Sequence, residues 1–235
     1  FSAGIWVKDM DQLTTANQYN SGIYEYKVAK NGDFGTAVGF DLTVENRGKI
    51  FNSTIQYTYS TARASSEYDS KAFGSVQVEA PQQEFLMPYD RTHDLTFSLY
   101  TTKLPWGINA GVTAFFQSGA PYTPVIVEGN TTRIDYKNKN SKRAPSLVTM
   151  NLSFSKGFDI KRHSLMFGVN IFNLFDRLNH ANVYNDSGVA NYTTYEQQAS
   201  NQNTGEYVNT IEEWFNNETY YSNPRKIEMG IKYGF

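Results

Sequence analysis

Apolar and polar residues alternate with a period of two along most of the chain, and that period marks β-strands half-buried on one face. Eight segments carry it. The first covers Phe1–Leu13, where Phe1, Ala3, Ile5 and Val7 alternate with Ser2, Gly4, Trp6 and Lys8. The second, about Asp33–Asn46, sets Val38, Phe40, Leu42 and Val44 against Ala37, Gly39, Asp41, Thr43 and Glu45. The third is Ile50–Arg63, the fourth Arg91–Lys103 and the fifth Ile108–Tyr122. Ser146–Phe158 and Ser164–Phe175 follow, and the eighth closes the chain with Ile227, Met229, Ile231, Tyr233 and Phe235 on one side. Lys226, Glu228, Gly230, Lys232 and Gly234 take the other side of that last strand.

The connections alternate in length. Short turns are predicted near 47–49, 104–107 and 159–163, and long polar segments at 14–32, 64–90, 123–145 and 176–223. Loops of 20 or so residues without structure are uncommon in compact soluble domains. Long loops on one side of an up-and-down meander and short turns on the other are the plan of an outer-membrane barrel. Strands of roughly 12–15 residues exceed the globular norm of about 5–6 and suffice for a tilted membrane span. The fold expected is therefore all-β, a transmembrane antiparallel up-and-down β-barrel contributing about eight strands. Thr, Ser, Asn, Gln and Gly crowd the face opposite the apolar one, as suits a wet or plugged lumen, whereas a sandwich would bury its apolar face on a second sheet.

Composition narrows this further. The 235 residues hold 21 Lys+Arg against 23 Asp+Glu, a net charge of −2, which offers no basic surface for nucleic acid. There are 0 Cys, so disulfides, thiolate metal sites and cysteine nucleophiles are excluded. No apolar run reaches the about 18 residues of a membrane helix. Seventeen Tyr and 16 Phe are present, several of them near predicted strand ends: Tyr57, Tyr59, Trp106, Tyr122, Phe158, Tyr233 and Phe235. Interfacial girdles of barrels are built this way. The opening Phe1-Ser2-Ala3-Gly4-Ile5 has no signal-peptide pattern and lies inside a strand, which reads as a fragment.

Three blocks carry a family resemblance. Pro88-Tyr89-Asp90-Arg91-Thr92-His93 before one strand, with Gln117-Ser118-Gly119-Ala120-Pro121-Tyr122-Thr123-Pro124 after the next, resembles the late barrel strands of TonB-dependent outer-membrane receptors. Phe167–Arg177, reading FGVNIFNLFDR, resembles their penultimate strand, and Asn223-Pro224-Arg225 with the stripe to Phe235 resembles their last. The loops are similar to the SusC-like and Oar-like branch of Bacteroidota. Residues 1–235 would then be the C-terminal part of a barrel of 22 strands, with the plug domain and earlier strands absent. The resemblance implies an outer-membrane receptor that binds and imports a nutrient such as a glycan, peptide or metal chelate. It implies long loops outside and short turns in the periplasm. Its partners would be TonB–ExbB–ExbD through the missing N-terminal part, the barrel-assembly machinery, a SusD-like lipoprotein and the lipid bilayer, with no nucleic acid. Ile231, Tyr233 and Phe235 would form the barrel-assembly signal. The alternatives are a complete eight-stranded outer-membrane barrel with a structural or adhesion role, and a secreted β-sandwich lectin.

The sequence carries no pattern for catalytic chemistry. His93, His163 and His180 lie in separate segments without metal-ligand spacing. No P-loop, dinucleotide fingerprint or nucleophile elbow occurs, and acidic pairs such as Asp9/Asp11 lack Ca²⁺-loop spacing. The expectation is no enzyme activity, no cofactor and no metal. Asp90-Arg91 and Asp176-Arg177 place opposite charges at strand mouths, either as rim ion pairs or as a polar ligand anchor. From Leu178 to Ser222 there is no Lys or Arg. Tyr207, Trp214, Phe215, Tyr220 and Tyr221 stand among acids and Asn there. Thr210-Ile211-Glu212-Glu213 has capping-box spacing and predicts a short helix over Ile211–Asn217. These aromatics form either the loop's own small core or stacking faces for a glycan or peptide.

Overall fold

A computed structural model describes residues 1–65, 84–101, 104–128, 131–195, 213 and 215–235, with the backbone alone described at 14–20, 25, 27, 30, 32–33, 105 and 136. It contains thirteen strands: β1 Ser2–Ser21, β2 Tyr24–Arg47, β3 Phe51–Ala64, β4 Phe85–Leu86, β5 His93–Thr101, β6 Ile108–Gln117, β7 Pro121–Tyr122, β8 Val125–Glu128, β9 Thr131–Ile134, β10 Lys142–Arg143, β11 Leu147–Ile160, β12 His163–Phe172 and β13 Lys226–Gly234. One antiparallel sheet runs β1-β2-β3-β5-β6-β11-β12-β13, with β4 beside the end of β3. These eight are the strands that the alternation predicts, in the predicted order and joined as an up-and-down meander. Among the described residues β1 pairs only with β2 and β13 only with β12, so both edges are open. No described helix is long and apolar enough to cross a membrane, which says nothing of spanning strands.

Register aligns the apolar positions of the eight strands into one surface. Val7 lies opposite Val38, Val44 opposite Ile55, Ile55 opposite Phe97, and Leu95 opposite Phe116. The line continues through Val148, Leu152 and Phe154 on β11 to Ile171 and Val169, then Ile227 and Met229. A one-residue slip in any pair would break this surface. No described residue covers it: even on inner strands Val38 is 40 %, Phe116 37 % and Phe154 44 % exposed. The other face carries Asp41, Thr58, Gln56, Asp94, Thr96, Asn109, Thr113, Ser153 and Asn170. Trp6 lies flat over Gly39, where any Cβ would collide with its indole, and its N–H donates to Asp41 Oδ2 at 2.9 Å. Thr58 donates to the other carboxylate oxygen at 2.7 Å.

Several predicted boundaries are corrected. The polar stretch 14–32 is no loop: β1 and β2 continue through it as a paired hairpin, from Leu13 opposite Asp33 to Ser21 opposite Tyr24. A ladder needs backbone partners and no apolar face, so the alternation ends before the strand does. The apolar stretch ends at a register shift between Met10 and Leu13, where Gln12 is left-handed (φ 56°). The fifth strand stops at Gln117, since Ser118–Ala120 lead to the short pairing of β7 with β10. The seventh ends at Phe172 because Asn173 is left-handed, φ 51°. The segment 123–145 carries the β8–β9 hairpin and a 3₁₀ turn at Tyr136–Asn138.

Candidate functional site: the loop end of the polar face

Five polar residues are buried among the described ones, against three apolar residues, Ala64, Met87 and Ala190. All five lie at the end of the sheet that carries the long connections, so that end is held by hydrogen bonds rather than by an oily core. Asp90 is 2 % exposed. It accepts from the Ala62 backbone N–H at 2.7 Å, from Thr92 at 3.3 Å and from the Arg143 guanidinium. Arg143 also donates to the Gly119 carbonyl at 3.1 Å, tying the segment after β6 to the approach to β5. Asn140 sits left-handed at φ 52° and reaches the Leu86 carbonyl at 2.7 Å. Left-handed backbone is least costly for Gly and Asn, which explains the residue choice there.

Asn173 organises the passage from β12 to β13. Its amide donates to the carbonyls of Arg177 and Asn223 at 3.1 and 3.2 Å, and its Oδ1 accepts from the Arg177 N–H at 3.1 Å. Asp176 Oδ1 accepts from the Arg225 N–H at 2.7 Å. Asn179 pairs both ways with the Val148 backbone, at 2.8 and 2.9 Å, and so mimics one further strand residue beside β11. Asp186 accepts from Thr193 and from the hydroxyl and N–H of Thr194. Burial would raise the Asp186 pKa, but those Thr194 and Thr193 bonds outweigh it and hold the carboxyl below its ordinary 3.8. Burial, and then the Asp186 charge, push the Tyr122 hydroxyl above its usual 10.0.

Both charged doublets do form rim ion pairs, with other partners than their neighbours in sequence. Asp90 takes Arg143, while Arg91 reaches only the Asp90 carbonyl, at 3.5 Å. Asp176 takes Arg225 at 4.0 Å, and Arg177 reaches the Ser146 carbonyl at 3.4 Å. Of the aromatic candidates, Tyr207 and Trp214 lie outside the described residues, as do Ile211 and Glu212 of the predicted Ile211–Asn217 helix, and Asn216 and Asn217 at its end are not helical. Glu213 and Phe215 are helical. Phe215 offers its carbonyl to the Tyr184 hydroxyl. Tyr220 packs on Tyr184 at 4.9 Å between ring centres, and Tyr221 meets His180 edge-on at 5.8 Å. Tyr220 and Tyr221 are thus half-buried against rings of the same loop, and Phe215 is tied to it through its backbone. Tyr89 and Tyr192 are instead 64 % and 51 % exposed at the same end.

Below this lattice the polar face is grooved. One cleft of about 430 Å³ lies between Thr149, Asn151, Asn173, Ser222 and Asn223, with the Lys226–Glu228 ion pair (2.6 Å) at its edge. A second, of about 300 Å³, runs over Gly111, Ser153, Ser155, Gly168 and Asn170. Hydroxyls and amides offer neutral hydrogen bonds in both, beside apolar surface from Phe172 and Pro224 in the first and from Ala110 and Phe154 in the second. Among the described residues no three His, Asp or Glu side chains converge to hold a metal ion.

At the far end of the apolar face, Ile231 pairs with Phe167 and Tyr233 with Leu165. The Tyr233 hydroxyl shares a 2.6 Å hydrogen bond with His163 Nδ1, and Phe235 is 99 % exposed. The sequence offered no signal for Asn140, Arg143, Asn179 or Asp186. Their partners lie up to 54 positions away, and only the left-handed Asn positions leave a local trace.

No family model matches the chain, and no curated protein does. Among solved structures, the outer membrane transporter YddB from Escherichia coli is similar in fold. The likeness has a TM-score of 0.51 at 13 % identity and covers 80 % of this chain. The chain spans 28 % of that transporter's length. It is thus an antiparallel all-β sheet of the kind found in an outer membrane transporter.

Proposed function

We propose that this chain is an arc of the wall of an outer-membrane transport barrel, the C-terminal part of a TonB-dependent receptor of the SusC-like or Oar-like kind. The observation that carries the reading is the apolar surface, continuous in register across eight strands and left uncovered by the described residues. An apolar patch beyond a few hundred Å² needs an apolar environment, and lipid supplies one along a strand-built wall. The polar face then lines the lumen, where neutral hydroxyls and amides pass a hydrogen-bonding nutrient such as a glycan or peptide. A metal chelate would meet the same donors. The protein works by binding and passage, without catalysis. The long connections face outward, and Tyr89, Tyr192 and the loop bearing Tyr207, Trp214, Tyr220 and Tyr221 shape the mouth.

The 0 native cysteines in this chain make the test direct. Single cysteines at Val38, Leu152 and Ile231, and at Thr113 and Ser155, are spin-labelled in the full-length protein in bilayers. Labels at the first three positions should relax with dissolved oxygen, and labels at the last two with an aqueous nickel chelate. Equal access of the chelate to both sets would refute the reading.

A further inference from the structure

The turn end of β6, β11, β12 and β13 places charge on a face that is otherwise apolar. Lys156 shares the apolar side of β11 with Phe154 and Phe158, and its register partners are Ile108 and Phe167. Its ammonium stands 4.9 Å from the centre of the Phe158 ring, which meets Phe167 edge-on at 6.0 Å. A lysine on such a face lays its stem along apolar neighbours and carries its charge toward the nearest polar boundary. That boundary is a short step away. Lys161 and Arg162 form the two-residue turn between β11 and β12, both exposed. His163, next along, stacks on Tyr233 at 5.6 Å.

Among the described residues no carboxylate pairs with Lys156, Lys161 or Arg162. The nearest acid in sequence, Asp159, falls on the opposite face of β11, three residues from Lys156. Backbone strain gathers at the same end. Lys161 (φ 56°) and Trp106 (φ 66°) are both left-handed, a conformation that favours glycine. Trp106 is nevertheless 81 % exposed. Its turn lies against β11 beside Lys156: a Cβ on Gly107 would come within 2.8 Å of the Gly157 carbonyl. Long basic and aromatic side chains are thus kept, at conformational cost, along the last turn-ward residues of β11 and the turn itself, three cations without a carboxylate partner on or beside apolar surface.

We infer that Lys156, Lys161 and Arg162 hold the phosphate of one membrane phospholipid, whose acyl chains run along Phe154 and Phe167. Trp106 and the His163–Tyr233 pair flank the headgroup. The inference rests on the apolar face meeting lipid. It adds a specific headgroup site at the turn end, on the leaflet opposite the long loops. Free phosphate would match the cations but not the apolar walls, so the occupant is the lipid.

The test uses the full-length protein, equilibrated with mixed micelles of phosphatidylglycerol and phosphatidylcholine and read by native mass spectrometry. One phosphatidylglycerol should stay bound in preference to phosphatidylcholine. The double substitution Lys156→Gln with Arg162→Gln should weaken its retention by about thirtyfold, from the usual worth of two cations at a lipid surface. Lys156→Arg should keep it. Unchanged retention in the double variant, or displacement of the lipid by excess inorganic phosphate, would overturn the headgroup site. The spin-label pattern at Val38, Leu152 and Thr113 separates the two levels. If it is intact and retention is unchanged, the headgroup site alone fails. If it is lost in the unsubstituted protein, the membrane wall and the site fail together.

Discussion

Asp90 shows how single residues hold the loop end together. Its carboxylate faces an Arg143 side chain that is 29 % exposed, and the Ala62 N–H of β3, which lies beyond the last residue pair with β5. Removing the carboxylate leaves a half-buried guanidinium and an amide without their acceptor. Breaking such a pair costs about 3–5 kcal/mol when buried, and the partial exposure of Arg143 moves this site toward the lower end. Asp90→Ala should therefore speed hydrogen exchange at the Ala62 amide and at the Ala144 amide, which follows Arg143 and donates to the Ala120 carbonyl at 2.9 Å, and open 119–144 to protease. Asp90→Asn, which keeps one acceptor for Ala62, should do so less. Unaltered exchange at both amides in Asp90→Ala would mean that the β2–β3 ladder alone holds this end. The apolar wall, whose contacts lie elsewhere, should keep its register in both variants.

At the scale of elements, strands were legible and the loop end was not, for a physical reason. A half-buried strand must alternate along its own length, so β3, β5, β6, β11, β12 and β13 announce themselves within a few residues. The β1–β2 arm beyond Met10 was missed because its pairing imposes no apolar period. The loop lattice was missed because Asn140 answers to Leu86 and Arg143 to Asp90, pairings 54 and 53 positions apart. Of the site residues, Tyr220 and Tyr221 were found from composition, yet their packing on Tyr184 and His180 follows from the fold. The closing strand β13 combines a legible stripe with an unfilled edge. Its pairing with β12 runs from Lys226 to Gly234, and the Tyr233–His163 hydrogen bond clips its end. If Ile231, Tyr233 and Phe235 are what the assembly machinery reads, then Phe235→Ala or loss of the last three residues lowers the assembled protein in the outer membrane. Immunoblotting of heat-modifiable protein in membrane fractions measures this. Assembly at the normal level after the truncation would dismiss the signal.

The whole molecule poses a question of closure. An open sheet with two bare edges exposes two rows of backbone donors and acceptors, which a membrane does not tolerate. Either β1 meets β13, or further strands stand between them. On the proposed membrane reading, the polar face favours the second. An eight-stranded barrel has an interior that side chains just fill, and it needs large or interlocking residues there. Here the face carries Gly111, Ser153, Ser155 and Gly168 around an open groove of about 300 Å³. Where a Cβ could be added at Gly168 or Gly230, it would meet nothing within 4 Å. Small residues without opposing neighbours suit a wide lumen closed by many more strands, or filled by another segment. The native protein, extracted from the outer membrane and weighed intact, should therefore exceed the 26.7 kDa of this chain severalfold. A mass near 26.7 kDa would force β1 onto β13, remove the wide lumen and leave the loops as the working surface of a small barrel.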